Sequence, residues 1–240
     1  VTWAEIGTST NMAMSVLPAL TLGVYDVLVE HGERELIDYF ASKLASGKWA
    51  GTMCLTEPHA GTDLGIISTK AVPQDDGSYR VTGTKIFITY GEHDMSENIV
   101  HLVLAKTPGA PEGTKGISLF IVPKYIVNED GSLGDRNDYK CLSVEHKLGL
   151  HASPTCVLSY GESGEGAIGY LLGEEHQGMR CMFKMMNNAR LGVGRYRRRP
   201  LPRRPLPPWH GSHSLSRPDE RGGEQWSSRG PERCPWRSSP

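Results

Sequence analysis

Between residues 49 and 172 the chain breaks into short β-prone runs set off by turn residues, and that pattern restricts the fold more than any other feature. The runs are GTMCLTE, IISTKAV, YRVTGTKIFIT, NIVHLVLA, GISLFIV, CLSVEH, PTCVLSY and IGYLL. Many are joined by loops too short for helical crossovers, so an antiparallel barrel or sandwich is expected rather than βαβ units. The turn QDDGSY contains Asp-Gly, which supplies the positive φ that a hairpin requires.

Helical periodicity brackets this region. Over residues 10–46, Val16, Leu20, Val24 and Leu28 recur four apart and form one apolar stripe. The run ERELIDYFASKLA repeats the pattern with Leu36, Ile37, Phe40 and Leu44; Gly32 separates the two helices and Gly47 is placed to cap the second. Residues 178–193 predict another helix, with Met182, Phe183, Met186 and Ala189 on a shared face.

The net charge of −1 conceals a division. Residues 1–194 carry 15 basic and 23 acidic side chains, net −8, whereas 195–240 carry 11 Arg, no Lys and 4 acids, net +7. That last segment holds nine prolines and no periodicity, so it cannot offset its ordering entropy and is expected to be disordered. The expected organisation is an α+β multi-domain fragment. Residues 1–48 end an N-terminal helical domain, 49–173 form a central antiparallel β-barrel or sandwich, 174–194 begin a C-terminal helical bundle, and 195–240 are an Arg/Pro-rich tail.

Cys54, Cys141, Cys156, Cys181 and Cys234 form no Cys-x-x-Cys pair, which argues against a zinc ribbon or disulfide framework and for reduced thiols in a cytoplasmic setting. No apolar run approaches the roughly 18–20 residues of a membrane span, so no integral membrane protein is expected. VTWAEIGTST lacks the form of a secretory leader and has no initiator Met, which leaves room for a missing N-terminus.

Two stretches carry candidate chemistry. In Met53–Asp63 a strand ends at Thr56, Pro58 forces an extended turn and Gly61 permits close backbone approach. Such a corner offers N–H groups and the Thr56 and Thr62 hydroxyls to an electron-rich ligand; a plain strand followed by a proline turn is the alternative. In Lys85–Gly91, alternation puts Phe87 and Thr89 on one face, an aromatic plane beside a hydroxyl, suited to a planar heteroaromatic ring. Phe87 as an ordinary core aromatic is the alternative there.

Together these stretches resemble the acyl-CoA dehydrogenase flavoprotein family. Thr56-Glu57-Pro58-x-Ala60-Gly61-Thr62-Asp63 is similar to its TEP-x-AG-[ST]-D signature, and Gly83-Thr84-Lys85-x-Phe87-Ile88-Thr89 to its G-x-K-x-[WF]-I-[TS] strand. Glu145-x-Lys147-Leu148-Gly149 is similar to its E-x-K-x-G loop, and Gly178 with Met186–Arg190 to the start of its helical bundle. GEHDMSENIVHLVLA and GTKGISLFIVP most resemble the subgroup containing methylmercaptopropionyl-CoA dehydrogenase.

The resemblance, over about residues 10–194, implies αβ-dehydrogenation of an acyl-CoA thioester in fatty acid metabolism, with FAD as cofactor, an electron-transfer acceptor and a homo-oligomeric assembly. Neither a membrane nor nucleic acid is expected as partner under this reading. It implies that Met53, Leu55 and Thr56 line the isoalloxazine, with Thr56 at its pyrimidine edge, and that Gly61 and Thr62 face the FAD pyrophosphate or the acyl-CoA. Phe87 stands where the family has Trp, losing the indole N–H but keeping an aromatic wall. Thr89 faces flavin N5. Arg190 corresponds to an arginine near the substrate, with a surface arginine at a helix C-terminus as the equal alternative.

The chain departs from the family at its base. The catalytic glutamate of the family lies in the C-terminal bundle, yet MMNNAR at 185–190 has none, Asn187 stands where many members carry an acid, and the family pattern ends after Gly194. No residue is therefore named as base, and the chain is expected to be truncated and inactive. Three readings compete for the tail: a nucleic-acid arm using Arg197–Arg199, Arg203 and Arg204 with Trp209 and Trp226, a polyproline ligand at Pro202–Pro208, and a GC-rich frame read in the wrong register. The third is favoured. A non-catalytic β-domain that binds a partner or nucleic acid through its basic tail is the alternative function. His93, Asp94, Glu97 and His101 match no metal-site spacing and are expected in a solvated turn. GESGEGAIG lacks both P-loop and Gly-x-Ser-x-Gly chemistry.

Overall fold

The computed structural model describes residues 6–8 and 10–197. Two helices open the fold, α1 (Met12–His31) and α2 (Arg34–Ala45). Asn11 caps α1 by accepting from the Met14 N–H at 3.1 Å. Gly47, at φ 72°, follows α2 and donates to Leu44 O, as expected.

Ten strands follow. They are β1 (Trp49–Cys54), β2 (Lys70–Pro73), β3 (Tyr79–Thr89), β4 (Asn98–Lys106), β5 (Ile117–Pro123), β6 (Tyr125–Val127), β7 (Leu133–Arg136), β8 (Tyr139–Val144), β9 (Thr155–Tyr160) and β10 (Ala167–Leu171). The helix α3 (Gly178–Arg197) closes the described part, running four residues beyond its expected end. The expected disordered tail otherwise lies outside the described residues.

The main sheet runs β1-β4-β5-β10-β3-β9-β8, with β2 between β3 and β4. The single pair Lys70↔Lys106 and the bond from Lys106 N to Thr69 O (2.9 Å) join β2 to β4 and close a ring β4-β5-β10-β3-β2. Gly77, at φ 80°, makes the β2–β3 hairpin turn that Asp-Gly foretells. The fold is thus α+β around a barrel-like centre. Two pairings depart from the antiparallel expectation: β1 lies parallel to β4, because β2 and β3 intervene and the connection is a crossover rather than a hairpin, and the single β2–β4 pair is parallel too.

β4 and β5 are apolar on both faces because both faces are covered. Leu102, Leu104, Leu119 and Ile121 face the helices and join Val24, Val27, Leu28, Phe40, Leu44, Met182 and Met185. Val103, Ala105, Phe120 and Val122 face the barrel interior with Ile88, Tyr139, Cys156, Leu158 and Tyr160. Helix α1 crosses β1 closely at Gly51, where a Cβ would stand 2.6 Å from Val24 Cγ2 and 3.2 Å from the Thr21 backbone. Thr21 Oγ1 accepts from the Gly51 N–H at 3.1 Å.

Three further expectations are corrected. By length and composition α1 is a helix long and apolar enough to cross a membrane, a run hidden in the sequence by Thr21, Gly23, Asp26 and Glu30. In this structure its Ala13, Val24, Val27 and Leu28 are buried. On α3 the buried residues include Gly178, Cys181, Met182 and Met185, while Phe183 and Ala189 are exposed. Packing against α1 decides this: a Cβ on Gly23 would lie 2.8 Å from Met185 Cγ. Strands β6 and β7, paired only with each other, had no counterpart among the expected runs.

Candidate functional site

The two motif stretches meet at the end of β1. The bridge between Glu57 and Ala60, with bonds of 3.0 and 3.1 Å, folds the chain back so that Gly61 returns beside Thr56. A Cβ on Gly61 would approach only Thr56 Cγ2, at 3.7 Å, so the fold itself makes no demand for glycine there. Ile86 of β3 donates its N–H to Thr56 O at 2.9 Å, which lays the loop along the second motif.

Beneath this contact lies a buried ion pair that sequence reasoning missed. Lys85 Nζ, with its side chain 0% exposed, is 2.9 Å from Glu57 Oε1, whose side chain is 1% exposed. Lys85 also donates to Leu55 O at 3.0 Å. The Glu57 carboxylate accepts from the Ser68 N–H (2.7 Å) and hydroxyl (2.8 Å), and from the Thr69 N–H (3.0 Å) and hydroxyl. Burial alone would raise its pKa; the Lys85 charge and the bonds from Thr69 and Ser68 outweigh that and hold it at about 2. The available signal was a carboxylate ending one apolar strand and an ammonium inside another.

β3 carries a bulge at the site. Its register with β9 shifts between Lys85 and Ile88, and Phe87 has φ 60°. Simple alternation along the strand is therefore broken. Lys85 and Ile88 are both buried, and Phe87, 57% exposed, and half-buried Thr89 flank Ile88. Two residues on, Tyr90 has φ 55° and is anchored by its hydroxyl to Ala13 O at 2.7 Å and by its N–H to Pro154 O at 2.7 Å.

Of the other candidates, Met53 is half-buried and Leu55 buried, while Gly61 and Thr62 are exposed. The hydroxyls of Thr56, Thr62 and Thr89 make no hydrogen bond among the described residues. Arg190 is exposed on α3, donates to Asn187 Oδ1 at 3.3 Å and lies 5.9 Å over the Phe183 ring. A cavity of about 480 Å³ lies between α1, the end of α2 and β1, and its lining includes none of these residues.

The histidines correct an expectation. His101 is not in a solvated turn but wholly buried in β4, with Nδ1 2.7 Å from Thr52 Oγ1 and its ring 4.8 Å from that of Tyr139. Burial holds its pKa down at about 3, so it is neutral. Nearby, Glu92 takes bonds from Lys124, Arg136 (2.7 Å) and Tyr139 (3.1 Å). Burial favours its neutral form, but the two cations keep its carboxyl below the ordinary range.

The donor set suits a flat, electron-rich heterocycle: free hydroxyls, an exposed aromatic ring and an open glycine on one loop–strand junction. Residues 52–162 match the acyl-CoA dehydrogenase middle domain. The chain is 54% identical over 190 residues to 3-methylmercaptopropionyl-CoA dehydrogenase of Ruegeria pomeroyi, covering 79% of this chain and 32% of that protein. Among solved structures, butyryl-CoA dehydrogenase of Megasphaera elsdenii superimposes with a TM-score of 0.60 at 26% identity, over 78% of this chain and 45% of that one. Caenorhabditis elegans ACDH-11, solved in complex with C11-CoA, gives 0.61 at 28% identity, over 74% and 30%. The chain spans about a third of the length of the curated relatives it matches. With both motifs locked together on its central sheet, the chain carries an acyl-CoA dehydrogenase middle domain over residues 52–162.

Proposed function

We propose that this chain supplies the flavin- and acyl-CoA-facing part of an FAD-dependent acyl-CoA dehydrogenase, the lineage reaction being αβ-dehydrogenation of an acyl-CoA thioester. Bound FAD would accept the β-hydride; the protein contributes position and polarity. The observation that carries the reading is the junction itself, where Thr56 O accepts from Ile86 N at 2.9 Å and Glu57 pairs with Lys85 at 2.9 Å. That lock brings the Thr56 loop against the Phe87 bulge, although 30 residues separate them in sequence.

In this proposal Met53, Leu55 and Thr56 line the ring and Thr56 serves its pyrimidine edge. Phe87 walls one side, Thr89 reaches towards N5, and Gly61 with Thr62 receives the pyrophosphate or the CoA. Arg190 reaches towards substrate. No carboxylate stands in 185–190, where the resemblance places one of the family's bases, so in this proposal the chain alone turns over little or no substrate. A cytoplasmic setting, an electron-transfer acceptor and assembly into a homo-oligomer belong to the same proposal.

The test is a flavin titration of the purified full chain followed by an acyl-CoA assay with an electron-accepting dye. Saturable FAD binding without turnover is expected. Absence of FAD binding refutes the flavin reading, and rapid dye reduction refutes the missing base.

A further inference from the structure

We propose that Lys85 is a positioning residue for the flavin's pyrimidine edge, acting through the Leu55–Thr56 peptide to strengthen the Thr56 N–H as a donor. This rests on the flavin reading above and goes further by assigning the donor and the group that drives it.

Lys85 Nζ donates to Leu55 O at 3.0 Å from a fully buried position. The described chain contains no cis peptide, and in a trans peptide the N–H points opposite to the C=O. With the Leu55 carbonyl turned inward onto Lys85, the Thr56 N–H is turned away from the buried ammonium. Its neighbours are accounted for: Thr56 O accepts from Ile86 N, and Glu57 N donates to Ala60 O. The Thr56 N–H itself has no acceptor among the described residues, so a strong donor is left for a ligand.

The order of groups gives this donor its strength. Glu57 carboxylate, Lys85 ammonium, Leu55 carbonyl and Thr56 N–H form a head-to-tail series in which the sign of charge alternates at each contact. Each hydrogen bond in such a series polarises the next, and its positive end is the Thr56 N–H. The Ser68 and Thr69 bonds to Glu57 fix the far end, so the dipole is set before any ligand arrives. The ligand chemistry it recognises is a carbonyl or ring-nitrogen edge that gains negative charge.

The experiment uses the full chain and two changes. Glu57→Gln with Lys85→Met removes both charges together, which avoids leaving one charge buried alone. Incorporating the α-hydroxy analogue of threonine at position 56 turns the N–H into an ester oxygen and leaves both side chains of the pair in place. Folding is followed by circular dichroism, FAD affinity by fluorescence quenching, and the midpoint potential of the bound flavin by dye-equilibrated reduction. Each folded variant should bind FAD at least tenfold more weakly, with a potential shifted negative, a change that a merely structural pair would not produce. If the double variant does not fold, the ester variant alone decides. FAD affinity within twofold of the parent and an unchanged potential overturn the role of Lys85 alone. A parent chain that takes up no FAD overturns the flavin reading and this assignment with it.

Discussion

Acid should destabilise this chain through its buried histidines, His101 above all, before the carboxylates contribute. His101 has a pKa of about 3 in the folded chain against 6.5 for the free side chain, with burial as the main cause. Lys124, Arg136 and His93 push it the same way, and Glu92 opposes them. Because the folded value is depressed, the unfolded chain takes up the proton first as pH falls. Stability is therefore full above pH 6.5 and declines towards pH 3. Between pH 7 and 4.5 one such proton is worth about 2.5 kcal/mol. Glu57, held at about 2 against 4.5, contributes its own loss only below that window. His101→Gln keeps a hydrogen-bonding partner for Thr52 and cannot titrate. Urea unfolding followed by far-ultraviolet circular dichroism at pH 7, 6, 5 and 4.5 should show the parent losing about 2.5 kcal/mol more than the variant. His93, which burial also lowers, is present in both chains and cancels. Parallel slopes for the two proteins would refute the reasoning.

Three other outcomes follow from the geometry. Lys85→Met alone leaves Glu57 buried without its cation and should cost about 3–5 kcal/mol, whereas the paired neutral variant should cost much less; urea midpoints compare them. Gly178→Ala places a Cβ 2.4 Å from the Ser118 carbonyl carbon and 2.7 Å from Leu119 N, so α3 must lift off β5; a thermal midpoint lowered by several degrees is expected, and an unchanged one would show that α3 does not need this contact. Cys141 is half-exposed, and a hydrogen bond from Cys156 lowers its pKa, whereas Cys54 is buried and burial raises its own. Alkylation at pH 7.5 mapped by mass spectrometry should label Cys141 well before Cys54, and equal rates would contradict the burial pattern.

Where periodicity and burial coincide, the elements were legible. Phe40 and Leu44 on α2, and the doubly apolar β4 and β5, are buried as their spacing implies. Legibility failed where tertiary contacts choose among equivalent letters. On α3, Phe183 is as apolar as Met185, and only the approach to Gly23 makes Met185 the buried one. Leu133–Arg136 reads LGDR, with no alternation to reveal a strand whose partner is three residues long. At the site, the residues that share a junction could be named from their motifs, but the Glu57–Lys85 contact spans 28 positions and leaves no local period. The bulge was equally hidden, since positive φ at Phe87 and Tyr90 runs against the preference of both residue types.

Those hidden features share a location, and their energetics explain why that matters. A buried ion pair seldom stabilises a fold more than an apolar pair of the same size. A non-glycine residue held at positive φ costs about 1–3 kcal/mol. Leu150 and His176 are the other two non-glycine residues at positive φ among those described, and each stands apart from the ion pair in sequence. Lys85 and the turns at Phe87 and Tyr90 instead fall within six residues at the end of β3, opposite the Thr56 loop. The surroundings hold them there: Tyr90 is tied to Ala13 and Pro154, and Glu57 is saturated by Ser68 and Thr69. A chain selected for stability alone would have replaced the pair with apolar residues and kept β3 straight. Keeping both costs is intelligible if the junction must present Phe87 outward and the Thr56 N–H unpaired, which is the geometry a planar ring would use.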